Sequence, residues 1–214
     1  MKQIARRHSI RNIAAGTLLA VLLCFTAGAD AATWYVTNDN DNGAAKTLRY
    51  AVEHAVSGDV IEVRLMGLVL GSQITVTKNL TITKDSTGEF GSPTIRPTSS
   101  NMRIFEVASG VTCVMKGLNV VGGNLPLGPG NVGAGVCNKG TLRLESCSLT
   151  TNTTRNQNGA GIFSSGTLTL SACSISGNTA FGSLACGGGV YSPHGSSLRL
   201  ENGCSITGNS PDNV

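Results

Sequence analysis

The residues of this chain with types suited to chemistry are a few carboxylates, three histidines and a set of cysteines. From Val132 onward the acids are Glu145, Glu201 and Asp212. Paired carboxylates hydrolyse glycosidic bonds, one as acid and the other as base or nucleophile. Carboxylates that hold calcium, with an Arg or Lys as base, suit elimination from a uronate. Glu145 and Glu201 occupy equivalent places in a repeat, with Ser171 at the copy between them. Stacked as strands two apart, their backbones would be separated by about 10 Å. That is too far for a retaining pair and at the outer limit for an inverting one. Both read more simply as solvated turn residues.

Asp39 and Asp41, in the string Asn38-Asp39-Asn40-Asp41-Asn42, have calcium-binding side chains, but the Gly and downstream Glu of an EF-hand loop are missing. A polar loop ahead of a helix is the simpler reading. His194 lies in Ser192-Pro193-His194-Gly195 with no second His in the repeats, and no Gly-x-Ser-x-Gly elbow accompanies the many serines. No catalytic, cofactor-binding or metal-ligating residue is assigned, and the binding residues stay unidentified.

The cysteines need separate treatment. Cys113, Cys137, Cys147, Cys173, Cys186 and Cys204 follow the N-terminal segment, and an even number in an exported chain suggests disulfides. Yet Cys147, Cys173 and Cys204 share one repeat phase, so they are expected to stack inward as reduced, apolar thiols. Cys137 alternates with an inward Val136 and is expected to point outward. Cys186 precedes Gly187 in a loop, and these two could pair if that loop folds back. No CxxC spacing suggests zinc.

The elements that would position these residues are legible from self-comparison. Gly133-Ala134-Gly135-Val136 recurs as Gly159-Ala160-Gly161-Ile162 and as Gly187-Gly188-Gly189-Val190. Downstream of each comes a second block: TLRLESCSLTTN from Thr141, TLTLSACSISGN from Thr167, and SLRLENGCSITGN from Ser197. Within a copy, Leu142 and Leu144 share one strand face, as do Cys147 and Leu149 beyond a kink at Glu145-Ser146. The run at Gly135-Val136 supplies a third strand. Such a copy cannot bury its apolar side alone, whereas stacked copies can. The expected fold is all-β, a right-handed parallel β-helix, the hand following from the crossover rule. Leu142, Leu168 and Leu198 form one inward ladder, Leu144, Leu170 and Leu200 a second, and Leu149, Ile175 and Ile206 a third. Asn152, Asn178 and Asn209 form an amide ladder at a turn.

The first half reads as less regular coils. Ile74-Thr75-Val76 then Leu80-Thr81-Ile82 repeat the two-strand phase, as do Val111-Thr112-Cys113 then Leu118-Asn119-Val120. Trp34–Val36 and Asp59–Leu65 read as strands. Between them a short N-terminal capping helix over Thr47–Ala55 has Thr47 as cap and Leu48, Ala51, Val52 and Ala55 on one face. The count is about six or seven coils.

The N-terminus reads as a signal peptide, residues 1–31. Lys2, Arg6, Arg7 and Arg11 precede an apolar run from Ile13 to Phe25, and Ala29-Asp30-Ala31 fits small-x-small cleavage before Ala32. The whole chain carries +4, but without the leader 12 basic residues face 11 acidic ones, a net +1. That balance argues against a nucleic-acid partner. No later segment is apolar for long enough to be a membrane helix. Residues 32–131 are then the cap and irregular coils, and 132–214 the regular repeats.

At these positions the chain resembles a known family. GxG[VI] followed by Leu149-Thr150-Thr151-Asn152, Ile175-Ser176-Gly177-Asn178 and Ile206-Thr207-Gly208-Asn209 is similar to the GGAI and FxxN signatures of polymorphic outer membrane protein repeats, with Leu or Ile in place of Phe. Lys46-Thr47-Leu48-Arg49-Tyr50-Ala51 resembles the CSLREA module that opens many such β-helices, without its Cys and Glu. The resemblance implies a pectate-lyase-like fold on a secreted or outer-membrane-surface protein with an adhesin-like or structural role. A cell-surface glycan or another protein is the expected partner. Two other readings stay open, a polysaccharide lyase or glycoside hydrolase and a truncated passenger of a larger surface protein. With no cap after the last copy, edge-to-edge self-association is a further expectation.

Overall fold

A computed structural model describes residues 30–183 and 185–214. The leader, Cys24 included, lies outside the described residues except for its last two, Asp30 and Ala31. The rest winds as a parallel β-helix of about six turns, with one short helix, Leu48–His54.

Four parallel sheets run along the stack. Face A holds seven strands: Thr33–Val36, Val60–Val63, Leu80–Lys84, Thr112–Lys116, Thr141–Glu145, Thr167–Ser171 and Ser197–Glu201. Face B holds six: Gly67–Leu70, Thr94–Pro97, Asn119–Val121, Ser148–Thr150, Ser174–Ser176 and Ser205–Thr207. Face C holds five: Ile74–Val76, Phe105–Val107, Val136–Asn138, Ile162–Ser164 and Val190–Tyr191. Face D, with three, was not foreseen: Asn124–Leu125, Thr153–Arg155 and Thr179–Phe181 make a fourth side at one corner. Its first strand turns Leu125 inward, and the other two hide from a pattern search because their inward residues are small or polar. Thr154 and Ala180 fill those places, and the Thr154 hydroxyl donates to the Gln157 carbonyl at 2.7 Å.

The three expected ladders form in register. Leu142 pairs with Leu168 and Leu168 with Leu198; Leu144, Leu170 and Leu200 follow two residues on; Leu149, Ile175 and Ile206 stack on face B. Each buried Leu or Ile contributes about 1.5–3 kcal/mol. The last rung lacks cover on one side, leaving Leu200 51% exposed. One early phase needs correction. Ile74–Val76 stacks under Phe105–Val107 on face C, whereas Leu80–Lys84 stacks under Thr112–Lys116 on face A. A short I-x-V or L-x-I run fits any face, so alternation alone could not place it. Val111-Thr112-Cys113 and Leu118-Asn119-Val120 sit where expected, with Cys113 beside Leu142 and Val120 beside Leu149.

The GxG motif now has a mechanical reason. Gly133, Gly159 and Gly187 have φ of +64°, +65° and +61°, a region that side chains disfavour. Two residues later the stacked backbones touch: a Cβ on Gly161 would lie 2.4 Å from the Gly189 carbonyl oxygen, and one on Gly135 would lie 2.5 Å from that of Gly161. The amide ladder forms as expected. Asn152 Nδ2 donates to Asn178 Oδ1 at 2.9 Å, and Asn178 Nδ2 donates to Asn209 Oδ1 at 2.9 Å. The same amides reach the strand carbonyls of Val120, Leu149 and Ile175, tying each corner to the coil before it.

The helix covers the opposite end. Thr47 caps it, its hydroxyl accepting from the Tyr50 amide, and Leu48, Ala51 and Val52 join the core. Lys78 Nζ closes the other terminus by donating to the Val52, Glu53 and Ala55 carbonyls at 3.2, 2.6 and 2.7 Å. A cation at that end also favours the helix dipole. No helix among the described residues is long and apolar enough to cross a membrane.

Candidate functional site

Faces A and B turn opposite chemistry to solvent. On face A the outward column Lys116, Glu145, Ser171, Glu201 lies beside the column Val114, Arg143, Thr169, Arg199. Arg143 Nε donates to Glu145 at 2.5 Å, and its Nη1 reaches two strands away to Glu201 at 2.9 Å. Lys116 holds the other oxygen of Glu145 at 3.0 Å, and Arg199 holds Glu201 at 2.6 Å. The expectation of two solvated turn residues is therefore corrected: both acids end a strand and belong to a ladder of ion pairs. The structure does bring them together, but with a guanidinium between them. Arg143 first, then Lys116, holds the Glu145 carboxyl below its ordinary range. A glycosidase acid needs the reverse, a carboxyl kept protonated near neutrality. Ser171, between the two, is buried and accepts from Asn202 Nδ2 at 2.8 Å.

Face B is built from strands whose middle residue points inward, so the flanking residues point out. In three successive turns these are Ser148 and Thr150, Ser174 and Ser176, and Ser205 and Thr207. The six hydroxyls make two straight columns, with rows about 4.8 Å apart and columns about 6.6 Å apart. No protein group bonds any of them among the described residues. The columns continue through Asn119 and Val121 to Thr94 and Arg96. Arg96 is exposed and has no carboxylate partner among the described residues. It borders a cleft of about 360 Å³ that Ser99, Ser100, Val121 and Asn124 also line. Serine and threonine on a rigid strand cost little side-chain entropy on contact, and each hydroxyl both donates and accepts. Sequence reasoning named a glycan or protein partner but not this face. The S-x-[ST] phase after each corner was the available signal.

The remaining candidates are structural. Asp41 takes Arg49 on both oxygens, at 2.9 and 2.6 Å, and also accepts the Gly71 amide at 2.7 Å, which braces the loop before the helix. Asp39 and His194 are exposed at separate places on the surface. Asp212 accepts the amides of Gly187 and Gly188. Near the cap, Arg64 donates to Glu62 at 2.8 Å, lies 3.6 Å from Asp85 and covers the Tyr35 ring at 3.9 Å. Asp85 in turn accepts from the Thr87 hydroxyl and the amides of Glu89 and Phe90, which together bring its carboxyl down to about 2. No group of three or more His, Cys, Asp or Glu stands close enough to hold a metal among the described residues.

All six described cysteines are free thiols. Cys147 and Cys173 are buried and Cys204 partly so, in one corner stack where the Cys173 amide donates to Cys204 Sγ at 3.4 Å. Burial pushes the Cys113 and Cys147 thiols up to about 12. Cys137 points outward as expected, yet it is not exposed. It is buried on the outer side of face C, between Glu106 and Phe163 in the ladder and within the field of Arg103 and Lys139. Long neighbours cover it where strand alternation alone implies exposure. Cys186 is exposed, and both it and Cys137 are free, so the suggested Cys137–Cys186 pair is not formed.

No protein-family model matches the chain, and neither a curated protein nor a solved structure matches it.

Proposed function

We propose that the chain is an exported β-helix of the cell envelope or its surroundings, akin to the polymorphic outer membrane protein-type repeats, that binds an extended acidic glycan along face B. The observation that carries this reading is the lattice of six unpartnered hydroxyls leading to the unpaired Arg96. A glycan lying along the helix axis meets a new row at each turn, so weak individual bonds accumulate. Exchange of water for sugar hydroxyls leaves each bond only about 0.5–1.5 kcal/mol. Useful affinity therefore needs several rows together, which the repeat supplies. Arg96 adds a preference for carboxylate or sulfate. Face A serves this function less well, because its charges already neutralise one another.

The test is binding of polyuronates, sulfated glycans and neutral glycans to the chain and to a variant carrying Thr150→Glu, Ser176→Glu and Thr207→Glu. The reading expects at least tenfold weaker binding of acidic chains by the variant, and loss of the acidic-over-neutral preference in Arg96→Ala. Equal binding by all three proteins contradicts it. Following unsaturated sugars and reducing ends in the same mixtures separates binding from lyase or hydrolase turnover.

A further inference from the structure

Asp59 is a buried carboxylate on which three segments converge. One oxygen accepts from the Ala32 backbone nitrogen at 2.8 Å. The other accepts from the Trp34 indole at 2.8 Å and from the Val56 amide at 2.9 Å. No Lys, Arg or His of the described residues is within ion-pair distance of it. From further away Lys78 acts on it, and the ammonium of Lys78 is bonded to the helix-end carbonyls. A buried carboxylate held only by neutral donors forgoes most of the stabilisation that a contacting cation provides.

The nitrogen it holds is a particular one. Ala32 is where the stack begins, its carbonyl accepting from Val60 N at 2.9 Å, and Asp30, Ala31 and Ala32 are all exposed. Cleavage by the small-x-small rule falls at the Ala31–Ala32 bond. Hydrolysis there consumes one water: the C–N bond breaks, Ala31 leaves as a carboxylate, and the Ala32 nitrogen takes up a proton to become an α-ammonium.

We propose that Asp59 is the receptor for the chain's own new N-terminus. Removal of the leader, by an endopeptidase that reads small residues, turns the Ala32–Asp59 hydrogen bond into a part-buried ion pair that locks the first coil. The proposal rests on the exported reading above. The same carboxylate grips Trp34 on the first strand and Val56 after the helix, so the lock reaches the whole N-terminal cap. Release from the leader and completion of the cap then become one event.

The test uses a chain that starts at Ala32, made with an initiator methionine that is trimmed ahead of alanine. The Ala32 methyl, labelled with carbon-13, reports the α-amine titration by NMR. The amine is expected to titrate about one pH unit or more above the ordinary range of about 7.7–8.0. Titration inside that range overturns the proposal, and needs no variant that could fail to fold. A second comparison adds Asp59→Asn to this chain and to one retaining Asp30 and Ala31. A larger fall in melting temperature for the Ala32-start chain supports the ion pair, and equal falls refute it. N-terminal sequencing of the exported protein separates the two readings. A start other than Ala32 overturns the processing step, and failure of export overturns the exported reading while the titration still judges Asp59.

Discussion

Single residues report how far each side chain is shielded from water. Cys186 is exposed, Cys204 half-covered, and the other four described thiols are buried. A maleimide added to the native protein is therefore expected to label Cys186 first and Cys204 slowly. Cys113, Cys137, Cys147 and Cys173 should react only on unfolding. Mass mapping of the labelled peptides checks this, and early labelling of Cys137 contradicts its burial. Asp85 gives a pH signature. Its folded pKa lies at about 2, against about 3.9 in an unfolded chain, so it contributes stability above pH 4 that is lost as pH falls through about 2. Asp85→Asn is expected to flatten that acid limb in urea melts taken between about pH 4 and about pH 2. These features were only partly legible in the sequence. Reduced thiols at Cys147 and Cys173 followed from repeat phase, but Cys137 did not, because its cover comes from Arg103, Glu106 and Phe163 on other turns. The Glu145–Glu201 link was invisible for the same reason. Backbone spacing put them about 10 Å apart, and only the reach of Arg143 shows that their side chains share a partner.

At the scale of the element, the repeat was the most legible signal, because stacking places like residues on like. The leucine ladders and the amide ladder follow from identity at fixed spacing, and the Thr47-capped helix from its cap and apolar face. The fourth strand, present in three coils, escaped because Thr153–Arg155 and Thr179–Phe181 carry no apolar alternation, and one first-half phase, Ile74–Val76 with Leu80–Ile82, slipped where no repeat was available as a ruler. Asn178 is the test of this level, since its amide serves Asn152, Asn209 and the Leu149 carbonyl at once. Asn178→Ala strands several buried donors and acceptors, each costing about 1–3 kcal/mol when unmet. A loss of about 2–4 kcal/mol in equilibrium unfolding is expected, after allowance for relaxation around the missing amide. A loss below about 0.5 kcal/mol would mean that water replaces the ladder freely.

For the molecule as a whole, the outward chemistry divides between faces. Face A closes its charges into a ladder, and face C buries its outward cysteine under long side chains. Face B leaves its hydroxyls unused and ends at a cation beside a cleft. The division follows from the sequence: outward strand residues include Arg143, Glu145, Arg199 and Glu201 on face A, and only Ser and Thr in the last three rows of face B. What the sequence did not disclose was which of these outward groups satisfy one another, and that decides which face remains available. The most direct test is to add a bound acidic glycan to the isotopically labelled protein and map the amide shifts by NMR. The account predicts shifts clustered at Ser148–Thr150, Ser174–Ser176 and Arg96–Ser100. Shifts centred on Arg143 and Glu201, or none at saturating glycan, would contradict it.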